Sequence, residues 1–363
     1  MGCWGSKNRE SNSLENESSQ NYSWNNRPKL DLKEFIIENE HSSVVVKRPG
    51  SINGQQFAIQ SCKNSTLCIM DGLDSATIDD CQGCTIFLGP AKGSVFIRNC
   101  TDCRIMCASQ QFRARDCRNL YLFLHCLTKP TIESCESIRV GCYSFFYPAL
   151  RDQFKDVGLS VFNNLWGLVY DFSTQDGTQT WEYMEKGMEP ERIMRSLETD
   201  VKDAEISLKS SLSVVPKTLN APPKNDMETS IVILFPDGNR ENRAKAFISG
   251  MHDKQCTLIA SKEFMMKQVE AEQTFHTDSY NSIVGRGPVI ALHHYGPDCI
   301  RKSQEVAKTI ALETGSTGLV YVSGNQESAL QQISLIFNSL DSPDKDFSSR
   351  NVSHRPSNAG QII

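Results

Sequence analysis

Three stretches of this 363-residue chain place residue types at spacings that chemistry uses. In Gln110-Gln-Phe-Arg-Ala-Arg115, Arg113 stands among amide side chains. A guanidinium held on a rigid backbone can stabilise charge on a transferring phosphoryl group. Taken alone, such an arginine reads more simply as a solvated surface charge. Cys81-Gln-Gly-Cys84 and Cys100-Thr-Asp-Cys103 stand fifteen residues apart, which fits a four-cysteine zinc site. At the start, Met1-Gly2-Cys3-Trp4-Gly5-Ser6 fits the myristoylation pattern, with Gly2 as acceptor once the methionine is removed and Cys3 as a palmitoylation site. One myristoyl chain binds a bilayer only marginally, at about 10⁴ M⁻¹, so a second acyl chain is what makes attachment stable.

What must position Arg113 is an internal repeat. Ile59-Gln-Ser-Cys62, Ile78-Asp-Asp-Cys81, Ile97-Arg-Asn-Cys100, Ala114-Arg-Asp-Cys117 and Ile132-Glu-Ser-Cys135 align at cysteine intervals of 19, 19, 17 and 18 residues. Five residues after each cysteine stands an aliphatic residue: Leu67, Ile86, Ile105, Leu122 and Val140. Period-two alternation inside so short a repeat predicts short strands stacking coil upon coil in a parallel solenoid. The register sends Phe57, Ala76, Val95, Phe112 and Pro130 inward, together with Ile59, Ile78, Ile97, Ala114 and Ile132. It sends Phe96, Arg113 and Thr131 outward in one row, and Asp79, Arg98, Arg115 and Glu133 outward in the next. Asp79 then lies beside Arg98 and Arg115 beside Glu133, whereas Arg113 has no carboxylate in its row. The repeat also weakens the zinc reading. Cys81 and Cys100 recur at Cys62, Cys117 and Cys135 without a second cysteine, so a packing rule explains them first, and no metal is expected.

Around the coil the chain divides by composition. Residues 1–21 are Asn, Ser, Glu and Gln with little apolar content, which predicts a flexible, acylated tether; the coil domain is expected over 22–174. The aromatics Tyr143, Phe145, Phe146, Tyr147, Phe154, Phe162, Trp166 and Phe172 are expected to close its end. Residues 175–228 turn polar and read as a linker with a helical segment at 191–208. From Ser230-Ile-Val-Ile-Leu-Phe235 onward, strands and helices alternate to about 345, predicting an α/β domain, followed by a flexible tail over 346–363. A net charge of -5 from interspersed charges offers no basic field for nucleic acid. No apolar run of spanning length and no signal peptide occur, so a cytosolic chain with reduced thiols is expected, held at a membrane only through lipid.

The repeat, Gln110-Gln-Phe-Arg-Ala-Arg115 and Phe87-Leu-Gly-Pro-Ala-Lys-Gly-Ser-Val-Phe96 together resemble the tubulin-binding cofactor C family. That resemblance implies a right-handed parallel β-helix that activates an ARF-like small GTPase, the type-three ARF-like protein, by supplying an arginine finger in trans. Carried over residue by residue, Arg113 is the finger. Gly93, Ser94, Gln110, Gln111 and Phe112 are the other GTP-facing positions, and Arg115, Glu133 and Phe172 contact the partner. GTP and Mg²⁺ would be carried by the partner, with no cofactor of the chain's own. The expected place is the cytoplasmic face of the plasma membrane and the cilium or basal body, in trafficking of lipidated proteins. The alternative is a non-catalytic scaffold or tubulin-folding cofactor, with tubulin as partner. Gly287-Pro-Val-Ile-Ala-Leu292 and the alternation around it resemble nucleoside diphosphate kinases, which implies a ferredoxin-like α/β fold. None of the seven histidines sits in that family's Asn-x-x-His-Gly-Ser-like loop, so an inactive binding or stabilising module is expected.

Overall fold

The structure is a computed structural model that describes residues 32–173, 179–220, 227–337 and 361–362. The repeat folds as the alternation requires. One wall of parallel strands stacks Ile36–Glu38, Phe57–Gln60, Ala76–Asp79, Ala91–Arg98, the second half of Arg104–Arg115, Thr131–Glu133 and Tyr170–Asp171. A second wall stacks Val44–Lys47, Thr66–Ile69, Thr85–Leu88, the first half of Arg104–Arg115, Arg118–Cys126, Glu136–Cys142 and Trp181–Tyr183. The predicted inward residues face one another inside this parallel β-helix and are buried.

The corner between the walls explains the cysteine. The residue before it (Ser61, Asp80, Asn99, Asp116, Ser134) and the residue two after it (Asn64, Gly83, Asp102, Asn119, Ser137) all have positive φ, between 50° and 67°. Short polar side chains and glycine tolerate that left-handed conformation best. Between the two turns the ladder cysteine points inward, and each thiol donates to the carbonyl two residues back, at 3.2–3.3 Å. A small apolar side chain with a weak donor suits that position. Asparagine amides stack on the coil below, Asn99 Nδ2 to Asp80 Oδ1 at 3.1 Å and Asn119 Nδ2 to Asp102 Oδ1 at 2.6 Å. Gly89 is set by close approach, since a Cβ there would lie 2.1 Å from the Asp71 carbonyl oxygen.

The outer face of the second wall is apolar and forms a second core. Cys68, Met70, Phe87, Met106 and Phe123 point outward from it and are covered by Tyr143, Phe145, Phe154, Leu197, Val201, Leu208 and Val215. The Phe87 and Phe145 rings stack at 3.9 Å. Two expectations are corrected here. The aromatic run at 143–154 covers a side of the coil, and within the run expected to close the end only Trp166 joins the interior cluster. Nor is 175–228 a linker: Trp181–Tyr183 adds a strand to the second wall, and 194–215 supplies the cover. The helix expected at 191–208 is reduced to Pro190–Ile193 and Ser196–Asp200.

The C-terminal domain follows its predicted alternation. Strands Glu228–Leu234, Thr257–Phe264, Val289–Gly296 and Val320–Val322 alternate with helices Arg240–Asp253, Gln268–Phe275, Cys299–Thr314 and Gln326–Phe337. By chain order the strands lie 2-3-1-4, all antiparallel, the ferredoxin-like arrangement. Gln361–Ile362, expected within a flexible tail, pairs with Val320–Val322 as a further strand. The segment 160–163 joins the domains. Phe162, expected to cap the coil, is buried in the core of the C-terminal domain. Its carbonyl accepts from Ser261 Oγ at 2.8 Å, and Asn163 exchanges hydrogen bonds with the Glu263 backbone at 2.9 and 2.6 Å.

Candidate functional site

The first wall presents its two outward rows side by side. In one, Phe96, Arg113, Thr131 and Tyr170 are successive register partners. In the other, Asp79, Arg98, Arg115 and Glu133 follow one another, and Phe172 continues the row through its N–H to the Ile132 carbonyl at 2.9 Å. The arginines differ in their partners. Arg98 is clamped by Asp79 with bonds of 2.7 and 2.8 Å, which hold its pKa above the ordinary value. Arg115 is the register partner of Glu133, as expected, but its ion pair goes to Asp116 at 3.2 Å. The adjacent corner brings the Asp116 carboxylate to it. Arg113 is exposed and makes no ion pair among the described residues. A flat strand wall fixes its backbone, and its charge is left available to an external anion.

Around Arg113 the expected GTP-facing positions separate into two kinds. Ser94 pairs in register with Gln111, and its Oγ donates to Gln111 Oε1 at 3.3 Å. Gln110 is exposed, and its carbonyl accepts from Thr128 N at 3.1 Å and Thr128 Oγ1 at 3.0 Å. Gly93 lies where the register shifts between Ala91 and Ser94, and its N–H bonds the Asp74 carbonyl at 2.7 Å. Phe112 is the correction. It is 1% exposed in the coil interior, so its side chain anchors the strand and cannot face a nucleotide. The alternation that sends Arg113 out sends Phe112 in.

Aromatic side chains flank the arginine. Phe96 is 36% exposed, Tyr170 54% and Phe172 62%, and the Tyr170 and Phe172 rings meet edge to face at 4.7 Å. Large apolar side chains gathered around a free cation mark a contact surface. Phe96 is visible in the sequence as an outward member of the repeat. Tyr170 is not, because the last strand of that wall has no ladder cysteine after it. The acylation candidates Gly2 and Cys3 lie outside the described residues, and no described helix is long and apolar enough to cross a membrane. Cys84 and Cys103 donate to backbone carbonyls at 3.3–3.5 Å, stacked one coil apart like the ladder cysteines.

In the C-terminal domain His293 and His294 lie within a buried strand. His293 Nε2 is 2.6 Å from Thr229 Oγ1, and His294 packs on Phe247 with ring centroids 5.5 Å apart. Burial lowers His293 to about 4 and His294 to about 3, and lowers His125 of the coil to about 4, against an ordinary 6.5. Over that range the unfolded chain binds more protons than the folded one, so stability falls as pH falls. The slope reaches about 1.4 kcal/mol per pH unit for each histidine. Thermal melts should therefore decline from pH 6.5 towards 4.5, and His294→Leu should flatten the decline in the C-terminal domain. A pH-independent melt over that interval would contradict these burials.

The sequence model of the tubulin binding cofactor C family matches residues 54–172, the span that carries the outward rows. Protein XRP2 of Mus musculus is 37% identical over 343 residues, covering 93% of this chain and 98% of the mouse protein. The chain belongs to the XRP2 family. Similar solved structures include the tubulin binding cofactor C of Leishmania major, with a TM-score of 0.31 and 20% identity over 42% of this chain and 89% of that one. The nucleoside diphosphate kinase of Aquifex aeolicus has a TM-score of 0.27 and 19% identity over 31% of this chain and 95% of that one. Within this XRP2 family chain, the family-model match ends at Phe172, the outermost aromatic beside the arginine rows.

Proposed function

We propose that this chain is a GTPase-activating protein for an ARF-like small GTPase, of the type-three ARF-like kind, and that it supplies Arg113 in trans. The observation that carries the reading is Arg113 itself, exposed without an ion pair among the described residues, on a rigid wall between exposed aromatics. Phosphoryl transfer to water needs positioning and charge stabilisation more than covalent chemistry, so an arginine that adds positive charge beside the γ-phosphate is enough to complete a partner's site. The chain is then half an active site. GTP and Mg²⁺ come with the partner. Ser94 orients Gln111 beside the finger, and Phe172, Arg115 and Glu133 supply contact area and register.

In the same reading, myristoyl-Gly2 and palmitoyl-Cys3 hold the chain at the cytoplasmic face of the plasma membrane, at the cilium or basal body, where it acts in the release cycle of lipidated cargo. The C-terminal domain serves as a binding or stabilising module, with His293 and His294 buried in its sheet. The second reading, a scaffold or tubulin-folding cofactor, is favoured by the match to a family described by tubulin binding.

Pull-down of a panel of ARF-like GTPases and of tubulin separates the two. The activator should capture a GTPase in its GTP form, and most strongly with a transition-state mimic, over the GDP form. Equal capture of all nucleotide states, or capture of tubulin alone, would replace the activator by the scaffold.

A further inference from the structure

Where the coil domain meets the C-terminal domain, two helices face each other with their charges out of balance. Helix Leu150–Asp156 on the coil side carries Arg151 and Lys155, and helix Arg240–Asp253 carries Glu241 and Lys245. In each helix the second residue follows the first by four, so the two stand one turn apart on the same face. A glutamate four residues before a lysine ordinarily pairs with it. Here Glu241 turns to the other domain instead, and its Oε2 accepts from Arg151 Nη2 at 3.0 Å. That contact sets the two faces against each other. It leaves Lys245, half-buried, and Lys155, exposed, each without a carboxylate at ion-pair distance among the described residues.

Between this contact and segment 158–161 lies a cavity of about 290 Å³, with Arg151, Lys155, Glu241 and Glu263 around it and Phe154 and Leu159 among its apolar walls. Its carboxylates are already engaged. Glu263 accepts from Arg240 and from Ser160 Oγ, and Glu241 accepts from Arg151. The turn that follows the first helix uses its own N–H groups, those of Val157, Gly158 and Leu159 donating to the carbonyls of Gln153, Lys155 and Phe154. Donors for a ligand therefore come from side chains: Lys155 at the cavity and Lys245 one turn beyond Glu241. Burial, and after it the charges of Arg151 and Lys155, lower Lys245 below the ordinary lysine value in spite of Glu241. An anion seated between these cations relieves that crowding, and apolar walls strengthen the field it meets. Two positive charges in excess suit a phosphate group, which carries close to two negative charges and accepts several charge-assisted hydrogen bonds at once.

We infer that this interdomain cleft binds a phosphate group, carried by a small soluble phosphate compound or by a lipid headgroup, between Arg151 and Lys155 of the coil domain and Lys245 of the C-terminal domain. A ligand held from both sides fastens the two domains to each other. Helix Leu150–Asp156 belongs to the cover over the second wall, since its Leu150 and Phe154 pack in that core. The cleft is therefore separate from the outward rows of the first wall, and its assignment does not depend on the reading of Arg113.

The experiment titrates the full chain with inorganic pyrophosphate at constant ionic strength, by calorimetry and by thermal melts. It then measures retention on phosphatidylcholine vesicles with and without phosphatidylinositol bisphosphate. Saturable binding is expected, with a rise in melting temperature, because the ligand binds only the folded chain. Lys155→Gln and Lys245→Gln should each weaken binding by about tenfold, the order of one hydrogen bond to a charged group. Lys308→Gln, at an exposed position of helix Cys299–Thr314, should leave it unchanged. Without ligand, Lys245→Gln should melt no lower than the unsubstituted chain, because it removes a cation crowded by two others; a lysine with a purely structural role would melt lower. Pyrophosphate binding without added retention on the bisphosphate vesicles assigns the site to soluble phosphate, and retention that both variants lose assigns it to a headgroup; either result supports the site. The inference is overturned if neither probe binds saturably, if binding survives both substitutions, or if Lys245→Gln lowers the melting temperature of the ligand-free chain.

Discussion

Arg113→Ala is expected to lower the stimulated GTP hydrolysis of the partner by about 10³ to 10⁵-fold in single-turnover assay, the range over which arginine fingers act. In the proposed activator reading the guanidinium acts in the transition state, where charge spreads over the transferring group. Capture of the GTP-bound partner should therefore fall far less than the rate. Arg113→Lys should also be severely slowed, because an ammonium is a point charge without the planar five-donor fork. The coil should hardly notice either change. Arg113 is exposed and unpaired among the described residues, and surface substitutions of that kind usually alter stability by less than about 0.5 kcal/mol. Arg98→Ala is the matched control, since Arg98 is the outward arginine that Asp79 already holds. Hydrolysis by Arg113→Ala within about tenfold of the unsubstituted protein would remove the finger, because that is well below what a transition-state cation supplies.

The contrast between Arg113 and its neighbours shows what sequence alone could reach. Cysteine intervals and period-two alternation place Phe112 inside and Arg113 outside, and every inward residue of that register is buried. The same alternation contains a second signal. Cys68, Phe87, Met106 and Phe123 hold outward positions and are apolar, which requires something to cover them. What covers them could not be read, because Tyr143, Phe145, Leu197 and Val215 come from segments without a repeat, and local patterning does not say which distant surface a segment will meet. The ion pair of Arg115 departs from its row for a related reason. Register fixes which backbones are adjacent, but a long side chain chooses among several carboxylates within reach, and Asp116 at the corner is closer than the row suggests.

Phe162, which the sequence groups with the aromatics closing the coil, leads to the second large effect. It is instead fully buried with Val232, Phe247, Leu258 and Leu292 of the C-terminal domain. Phe162→Ala should cost about 3 to 5 kcal/mol, as truncation of a buried phenylalanine does when the site cannot collapse. The loss should fall on the C-terminal domain. Hydrogen exchange should accelerate in Glu228–Leu234 and Val289–Gly296, whereas amides of Arg104–Arg115, two coils inside the β-helix, keep their protection. Phe154→Ala should show the opposite distribution, because Phe154 packs on His125 and Tyr143 against the second wall. Accelerated exchange in the coil after Phe162→Ala would return this residue to the role of cap. The expected pattern instead makes it the peg by which segment 160–163 fastens the coil that carries Arg113 to the α/β domain, with the Asn163 and Ser261 hydrogen bonds setting its depth. Under the proposed activator reading, the C-terminal domain would then contribute by fixing the segment that leads into Tyr170 and Phe172 beside Arg113.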